Sequence, residues 1–208
     1  MRLRHLGALL PTPILLAAAV AAAEANAPPT TPLGLCRQNT EKILAILRDP
    51  ALKGPERTAE RRKKIEDVAY ELFDWPEIAR RALGIHWRDR SEAERKEFTA
   101  LFTDLVRHTY LTKIDRYSGE QVRYKGEEVE GDYARVSVEI VSARSADIPV
   151  VYSLRKQGGT WLIYDVAIEG VRLVNNYRSQ FNSMLDGMPY AKFIAKLRDK
   201  VKAIQEEK

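Results

Sequence analysis

The sequence has few of the residues on which metal, disulfide and nucleophile chemistry depend. Its 208 residues include one cysteine, Cys36, and three histidines. A single cysteine excludes an intramolecular disulfide framework and any cysteine-rich zinc module. The metalloprotease histidine motif, the serine nucleophile elbow, the phosphate-binding glycine loop and the dinucleotide fingerprint are absent from the sequence. We therefore expect no metal and no cofactor, and a lone thiol that is buried and inert.

The balance of charge is close to even, which disfavours some partners. The chain has 34 basic and 29 acidic residues, and 45% of its residues are hydrophobic. Its two most basic stretches, 53–64 and 192–208, contain interleaved acidic residues. Nucleic-acid binding needs basic side chains gathered on one face, so we expect no nucleic-acid partner. Solvated helix faces, or docking to anionic headgroups or to an acidic partner, remain the two interpretations of these stretches.

The first 25 residues are typical of a secretory signal peptide. Arg2 and Arg4 precede an apolar stretch at 6–23, which ends in small residues that suit cleavage after Ala25. An uncleaved membrane anchor is the alternative, and the prolines within the stretch disfavour it. We predict that residues 1–25 are removed and that residues 26–208 form one exported domain of the bacterial periplasm.

Hydrophobic periodicity predicts helices in the first half of that domain. Apolar residues recur at helical spacing over 35–47, 57–73, 75–83 and 91–114. A glycine, Gly84, follows the third of these segments and is a typical helix end. We expect two further helices at the carboxyl end, over 171–185 and 190–204.

Between these helices the period changes to that of strands. Four segments, 121–124, 133–141, 148–156 and 161–168, alternate and are rich in β-branched and aromatic residues. Turn residues separate them, so we predict a four-stranded antiparallel curled sheet within an α+β fold. Pairing in phase would place ten apolar side chains on one face, either as an ordinary core or as the lining of a cavity. These are Val122, Tyr124, Val136, Val138, Ile140, Val150, Tyr152, Leu154, Trp161 and Ile163.

Candidates for catalysis are few. His86 follows a helix end and His108 lies within a helix, and both are more typical of packing or surface positions than of a general base. Asp165 and Glu169 lie at a strand end and are the one pair that could act as acid and base. A small cone-shaped enzyme using Asp165 or Glu169 therefore stays open as an alternative, as does an adaptor that binds no ligand.

Two longer stretches resemble a known family. One is IARRALGIHW at 78–87, followed by the Phe98 helix with Thr109 and Tyr110. The other is WLIYDVAIEGVRLVNNYRSQF at 161–181. Together they resemble the periplasmic phospholipid-binding proteins of the MlaC type, also called the toluene-tolerance family, over residues 35–197. Arg172 departs from the family pattern, in which a small polar residue occupies this turn.

The resemblance implies a lipid carrier that is not an enzyme. In such a protein the curled sheet and helices enclose an apolar pocket, which holds acyl chains while the headgroup stays near water. It implies exchange of phospholipid with an outer-membrane lipoprotein complex and with an inner-membrane ABC transporter complex containing an MCE-domain protein. This traffic maintains the lipid asymmetry of the outer membrane. Nothing in the sequence demands more than a monomer. A hopanoid or similar polycyclic lipid is the alternative cargo.

The resemblance also suggests residues for the lipid site. Tyr177 and Arg178 are expected near the pocket mouth, where Arg178 would pair with a phosphate or, alternatively, with Asp165. The helix over 171–185 or the one over 91–114 is the expected moving wall. Ten residues are expected to line the pocket, with plain core packing as the alternative for each: Tyr110, Val138, Ile140, Tyr152, Trp161, Ile163, Val166, Ile168, Leu173 and Phe181.

Overall fold

A computed structural model describes residues 31–114, 117, 119–141 and 146–206. The predicted signal peptide, residues 1–25, lies outside these residues. Helix α1 (Pro32–Arg48) and helix α2 (Thr58–Leu72) come first, joined by short 3-10 turns. Thr31 caps α1 by accepting a hydrogen bond from the Gly34 amide at 3.0 Å. Proline at the first helical position suits this start, because its fixed φ is already helical.

Two helices of different length follow, and capping hydrogen bonds or a terminal glycine mark their ends. In α3 (Trp75–Leu83), Asp74 accepts a hydrogen bond from the Glu77 amide at 3.2 Å. The predicted end at Gly84 is confirmed, because this residue closes α3 with a positive φ of 61°. Helix α4 (Glu92–Ile114) begins with the reciprocal bonds of a capping box between Ser91 and Glu94.

The sheet is antiparallel, and its strands are neighbours in chain order. Its main strands are β1 (Gln121–Glu130), β2 (Tyr133–Val141), β3 (Ile148–Gln157) and β4 (Thr160–Ile168). A fifth strand, β5 (Val171–Arg172), also pairs with β4, so the predicted count of four was one too low.

The fifth strand was missed because two residues are too short to show alternation. Glu169 and Gly170 both have positive φ, 51° and 81°, and turn the chain back onto β4. Helix α5 (Leu173–Asp186) consequently starts two residues later than predicted, and α6 (Tyr190–Glu206) completes the fold. The α+β class is confirmed.

The predicted in-phase pairing is also confirmed. Val122 lies opposite Ile140, which in turn lies opposite Ile148, across β1, β2 and β3. The same face continues into β4, where Tyr152 lies opposite Val166. All ten side chains predicted for one face belong to a single apolar cluster or pack against it.

The apolar side chains form two clusters that meet at one residue. The sheet cluster joins the inner face of the sheet to α1, and the helical cluster lies between α3, α4, α5 and α6. Phe73, at the junction of α2 and α3, packs against both. It also forms a parallel bridge with Ile163 at the β4 edge. The helices therefore pack beside the sheet as a second layer with a core of their own.

Candidate functional site

The inner face of the sheet is tightly packed at one end and half-open elsewhere. At the packed end Val136, Leu154 and Ile163 have no exposed surface. Elsewhere on the same continuous face six large side chains are only partly buried, and they lie around the buried Val138 and Val150. We call this half-open region the apolar trough. Its six residues are Val122, Tyr124, Ile140, Ile148, Tyr152 and Ile168.

Helix α1 forms a wall over the sheet cluster. The Glu127 carboxylate on β1 accepts a hydrogen bond from the Leu33 amide at 2.6 Å, which fixes the amino end of α1 on the sheet. A carboxylate at this position also complements the positive end of the helix dipole. Cys36, one turn further on, is buried in the sheet cluster, and the Arg37 guanidinium lies 4.8 Å from the centre of the Tyr124 ring.

Two ionisable side chains of the sheet cluster, the Cys36 thiol and the Tyr152 phenol, are held neutral. Burial raises the pKa of the Cys36 thiol to about 12, and the nearby Glu127 carboxylate adds to the rise. Burial also raises the pKa of the Tyr152 phenol, as do the neighbouring Cys36 and Tyr124 groups. At physiological pH the trough is thus an uncharged surface of aliphatic and phenolic side chains. Such a surface suits acyl chains and offers little for proton transfer.

Seven of the predicted lining residues lie in the sheet cluster, but only three of them lie in the trough. Ile140, Tyr152 and Ile168 are trough residues with part of their surface still open. The other four are buried and fill the core, which was the alternative interpretation: Val138, Trp161, Ile163 and Val166.

The other predicted residues, apart from Arg178, lie on helices and belong to the helical cluster or pack against it. Phe181 is buried within a set of aromatic rings, with its ring centre 5.4 Å from that of Phe102 and 5.3 Å from that of Phe193. Tyr177 packs edge-on against Phe102 at 4.9 Å. Tyr110, Leu173 and Tyr177 are partly buried at the margin of this cluster, away from the sheet face on which the trough lies.

Arg178 contacts the backbone of α3 and not the carboxylate of Asp165. Its Nε donates to the backbone carbonyl of Arg81 at 2.7 Å, and its side chain lies over Gly84. The guanidinium therefore satisfies a carbonyl in the last turn of α3, where a positive charge is favourable. The alternative partner, Asp165, pairs with Arg172 instead, at 2.9 Å.

Asp165 and Glu169, the candidate acid–base pair, lie in different surroundings. The buried Asp165 carboxylate accepts hydrogen bonds from the amides of Val166 and Val174 as well as from Arg172. Glu169 is exposed in the turn between β4 and β5. Asp165 thus organises the start of α5 and points away from the inner face on which Val166 lies.

Sequence reasoning missed part of the trough and most of its wall. Val122 and Tyr124 were placed on the correct face but left out of the lipid site, and Ile148 was not singled out. The signal for Ile148 was available, because it occupies the face of β3 that Val150 and Tyr152 share. The contribution of Cys36 carried no such signal, since helix periodicity does not say which sheet face a helix covers.

The part of the chain that the structure describes has neither a candidate metal cluster nor a candidate membrane-spanning helix. Within residues 31–114, 117, 119–141 and 146–206, no group of three or more histidine, cysteine, aspartate or glutamate side chains could hold a metal ion. Over the same residues, none of the helices is both long and apolar enough to cross a membrane.

Comparison with known proteins gives a family and a related structure. Residues 37–199 match the family model described as MlaC protein. Among solved structures, a phospholipid-binding protein from Ralstonia solanacearum, in complex with a phospholipid, is similar in fold. It is 18% identical in sequence, the match covers 82% of this chain and 96% of the other, and the TM-score is 0.72.

Proposed function

This chain belongs to the MlaC protein family, and on that premise we propose that it holds phospholipid acyl chains in the apolar trough. The observation that carries the proposal is the half-open region of an otherwise closed core. Six large apolar or phenolic side chains remain partly exposed there, in rows that run across four strands. Ligand sites in proteins are lined mainly by apolar and aromatic side chains of this kind. The phospholipid bound to the relative of similar fold supports this choice of ligand.

We also propose that the protein carries lipid between membranes and is not an enzyme. A diacyl phospholipid has roughly 30 methylenes, each worth about 0.8 kcal/mol on leaving water, so complete burial amounts to about 24 kcal/mol. That exceeds the ceiling for noncovalent affinity, about 18–21 kcal/mol. Water is therefore the wrong reference state. Lipid passing from a membrane to the trough exchanges one apolar medium for another, so the transfer can be reversible.

Reversible carriage requires partners that shield the path, and membership of the family suggests which. We propose an exported periplasmic monomer whose first 25 residues are removed. It would receive or deliver phospholipid at an outer-membrane lipoprotein complex and at an inner-membrane ABC transporter complex with an MCE-domain protein. Between these contacts the acyl chains would stay in the trough, and the headgroup would stay near water.

The test is whether lipid accompanies the protein and depends on the trough. The protein is purified without detergent, extracted with organic solvent and analysed by mass spectrometry, and uptake of a labelled phospholipid is measured separately. We expect phospholipid masses near one lipid per chain. The masses of a hopanoid would instead support the alternative cargo. The absence of both bound lipid and uptake would overturn the proposal.

A pair of variants ties the lipid to the trough. Ile148→Glu places a carboxylate among the trough residues, and we expect at least a tenfold loss of labelled lipid uptake because burying a charge with acyl chains is costly. Ile85→Glu makes the same change at a side chain that is 74% exposed, and its uptake should match that of the wild type. Equal uptake by the two variants would contradict the placement of the lipid.

A further inference from the structure

A positive charge lies in direct contact with the trough. The Arg37 guanidinium on α1 is 4.8 Å from the centre of the ring of Tyr124, which is a trough residue. Arg37 is exposed, and within the described part of the chain its side chain forms no ion pair. The attraction between a cation and an aromatic ring needs no acceptor oxygen. The ring therefore holds the guanidinium beside the trough and leaves its N–H donors for a ligand.

The basic side chains of β1 are already paired on the other face of the sheet. Arg123 and Lys125 both contact the Glu139 carboxylate of β2, at 3.0 and 3.3 Å. Strand alternation places Arg123 and Glu139, which lie opposite each other in the register, on the outer face. On α1, Glu41 follows Arg37 by one turn on the same face of the helix, but these two exposed residues form no ion pair.

A phospholipid in the trough presents one group that the trough itself cannot satisfy. The six trough side chains are aliphatic or phenolic and suit acyl chains, but they have no charge to offer a phosphate. The phosphate of a lipid whose chains lie in the trough has to rest at the margin, where Arg37 lies on Tyr124. A guanidinium binds phosphate through two parallel N–H···O bonds and is more weakly hydrated than an ammonium group.

We propose that Arg37 binds the phosphate of the phospholipid held in the trough. This proposal rests on the proposed function and names the contact that distinguishes a phospholipid from an uncharged lipid with the same chains. A diacylglycerol would fill the same trough without this contact. Inorganic phosphate would make the contact but gain nothing from the trough, so it would bind far more weakly than the lipid.

A second arginine of the same sheet layer provides a matched control. Arg135 on β2 is exposed and lies opposite Ser153 in the register. Its neighbours Ala134 and Val136 are buried in the sheet cluster on the inner face, so Arg135 lies on the outer face, away from the trough. Arg135→Gln therefore removes the same charge from the protein as Arg37→Gln and leaves the trough margin unchanged.

The experiment compares two lipids that differ only in the headgroup. A fluorescent short-chain phosphatidylcholine and a diacylglycerol with the same chains and label are titrated, as monomers in solution, into lipid-free protein. We expect Arg37→Gln to bind the phosphatidylcholine about tenfold more weakly than the wild type, as the loss of a charge-assisted hydrogen bond implies, and the diacylglycerol within about twofold. Arg135→Gln should bind both lipids as the wild type does.

Two further measurements test the nature of the contact. Arg37→Lys keeps the charge but loses the planar fork, so its affinity for phosphatidylcholine should fall between those of the wild type and Arg37→Gln. If Arg37→Gln does not fold, the lysine variant carries the test, with weaker phosphatidylcholine binding and unchanged diacylglycerol binding expected. Inorganic phosphate at millimolar concentration should leave phosphatidylcholine binding by the wild type unchanged.

The outcomes distinguish this proposal from the proposed function. An equal loss of both lipids in Arg37→Gln would overturn the phosphate contact, because the effect would then follow the acyl chains. Binding of both lipids by the wild type with affinities that Arg37→Gln leaves unchanged would overturn it too, and the trough would remain the lipid site. Displacement of phosphatidylcholine by inorganic phosphate, dependent on Arg37, would assign Arg37 to free phosphate instead. A wild-type chain that binds neither lipid would overturn the proposed function, and the phosphate contact with it.

Discussion

A carboxylate with two arginine partners on α3 helps to link this helix to the sheet. Glu77 on α3 is 7% exposed, and its carboxylate accepts hydrogen bonds from Arg80 and Arg81, each at 2.7 Å. The Arg81 guanidinium also lies 4.2 Å from the centre of the Tyr164 ring on β4. Glu77 therefore orients an arginine that links α3 to the sheet.

The titration of Glu77 yields a prediction about stability and pH. Burial acts to raise the pKa of Glu77, but the hydrogen bonds and charges of Arg80 and Arg81 outweigh it and lower the pKa from 4.5 to about 2. A carboxylate whose pKa is lower in the folded state stabilises the fold above its unfolded pKa, and this stability is lost as pH falls through the folded pKa. We expect Glu77→Gln to cost about 2 kcal/mol at pH 7. The difference from the wild type should shrink between pH 4.5 and 2.

Urea denaturation at several pH values measures this effect, and a second glutamate is the control. Glu60 on α2 also pairs with Lys64 of the same helix and with Arg57 of the preceding 3-10 turn, but its side chain is 44% exposed. Glu60→Gln should change the free energy of unfolding by less than about 0.5 kcal/mol at every pH. A cost for Glu77→Gln that stays the same from pH 7 to pH 2 would contradict the prediction.

Among the elements, α5 has a different role from the one the sequence suggested. Phe181 was expected to line the lipid pocket and Tyr177 to lie near its mouth. In the structure Phe181 packs between Phe102 of α4 and Phe193 of α6, and Tyr177 packs against Phe102. The strands supply the trough instead, together with α1. Helix α5 therefore belongs to the helical cluster, and the Val174 amide in its first turn is bonded to Asp165 of β4.

This division between elements can be tested with two aromatic truncations. Phe181→Ala should lower the free energy of unfolding by about 3–5 kcal/mol, because it leaves a cavity in the helical cluster. Its folded fraction should bind labelled phospholipid as the wild type does. Tyr152→Ala removes a half-buried trough side chain, so it should cost less stability and reduce lipid binding. Chemical denaturation measures stability, and a titration with labelled lipid measures binding. Weaker lipid binding by Phe181→Ala than by Tyr152→Ala would instead indicate that Phe181 lines the lipid site.

At the scale of the whole molecule, both clusters have a buried centre and a margin of partly buried apolar side chains. The helical cluster fills its own interior with side chains, among them Phe98, Phe102 and Phe193, which have at most 1% of their surface exposed. The sheet cluster is closed at one end and half-open at the trough. A bound lipid would complete the second cluster and leave the first almost unchanged.

Removal of lipid should therefore affect the two clusters unequally. We expect amide hydrogen exchange in the delipidated protein to become faster in α1 and in the strand ends around the trough, while α4 and α6 keep their protection. Lipid added back should restore the slow exchange, because a ligand that binds only the folded state stabilises it. Exchange read out by mass spectrometry measures this, and a uniform loss of protection in both clusters would contradict it.

Local signals were enough to predict most of the elements. Alternation in 133–141 and 161–168 placed two strands within a residue of their observed bounds, and the capping box at Ser91 placed the start of α4. The two-residue strand β5 was missed because its pairing depends on a turn at Glu169 and Gly170. Hydrophobic periodicity does not predict such a turn.

The sequence by itself determined which residues share a face, because the strand period of two is fixed by the backbone and in-phase pairing keeps apolar side chains together. Only the tertiary structure decided which of those side chains stay partly exposed. Burial depends on what lies opposite, and α1 reaches the sheet through a contact between Leu33 and Glu127, 94 residues apart. The same holds for the choice of Arg172 over Arg178 as the partner of Asp165, since both arginines lie within reach along the chain and the direction of α5 selects between them.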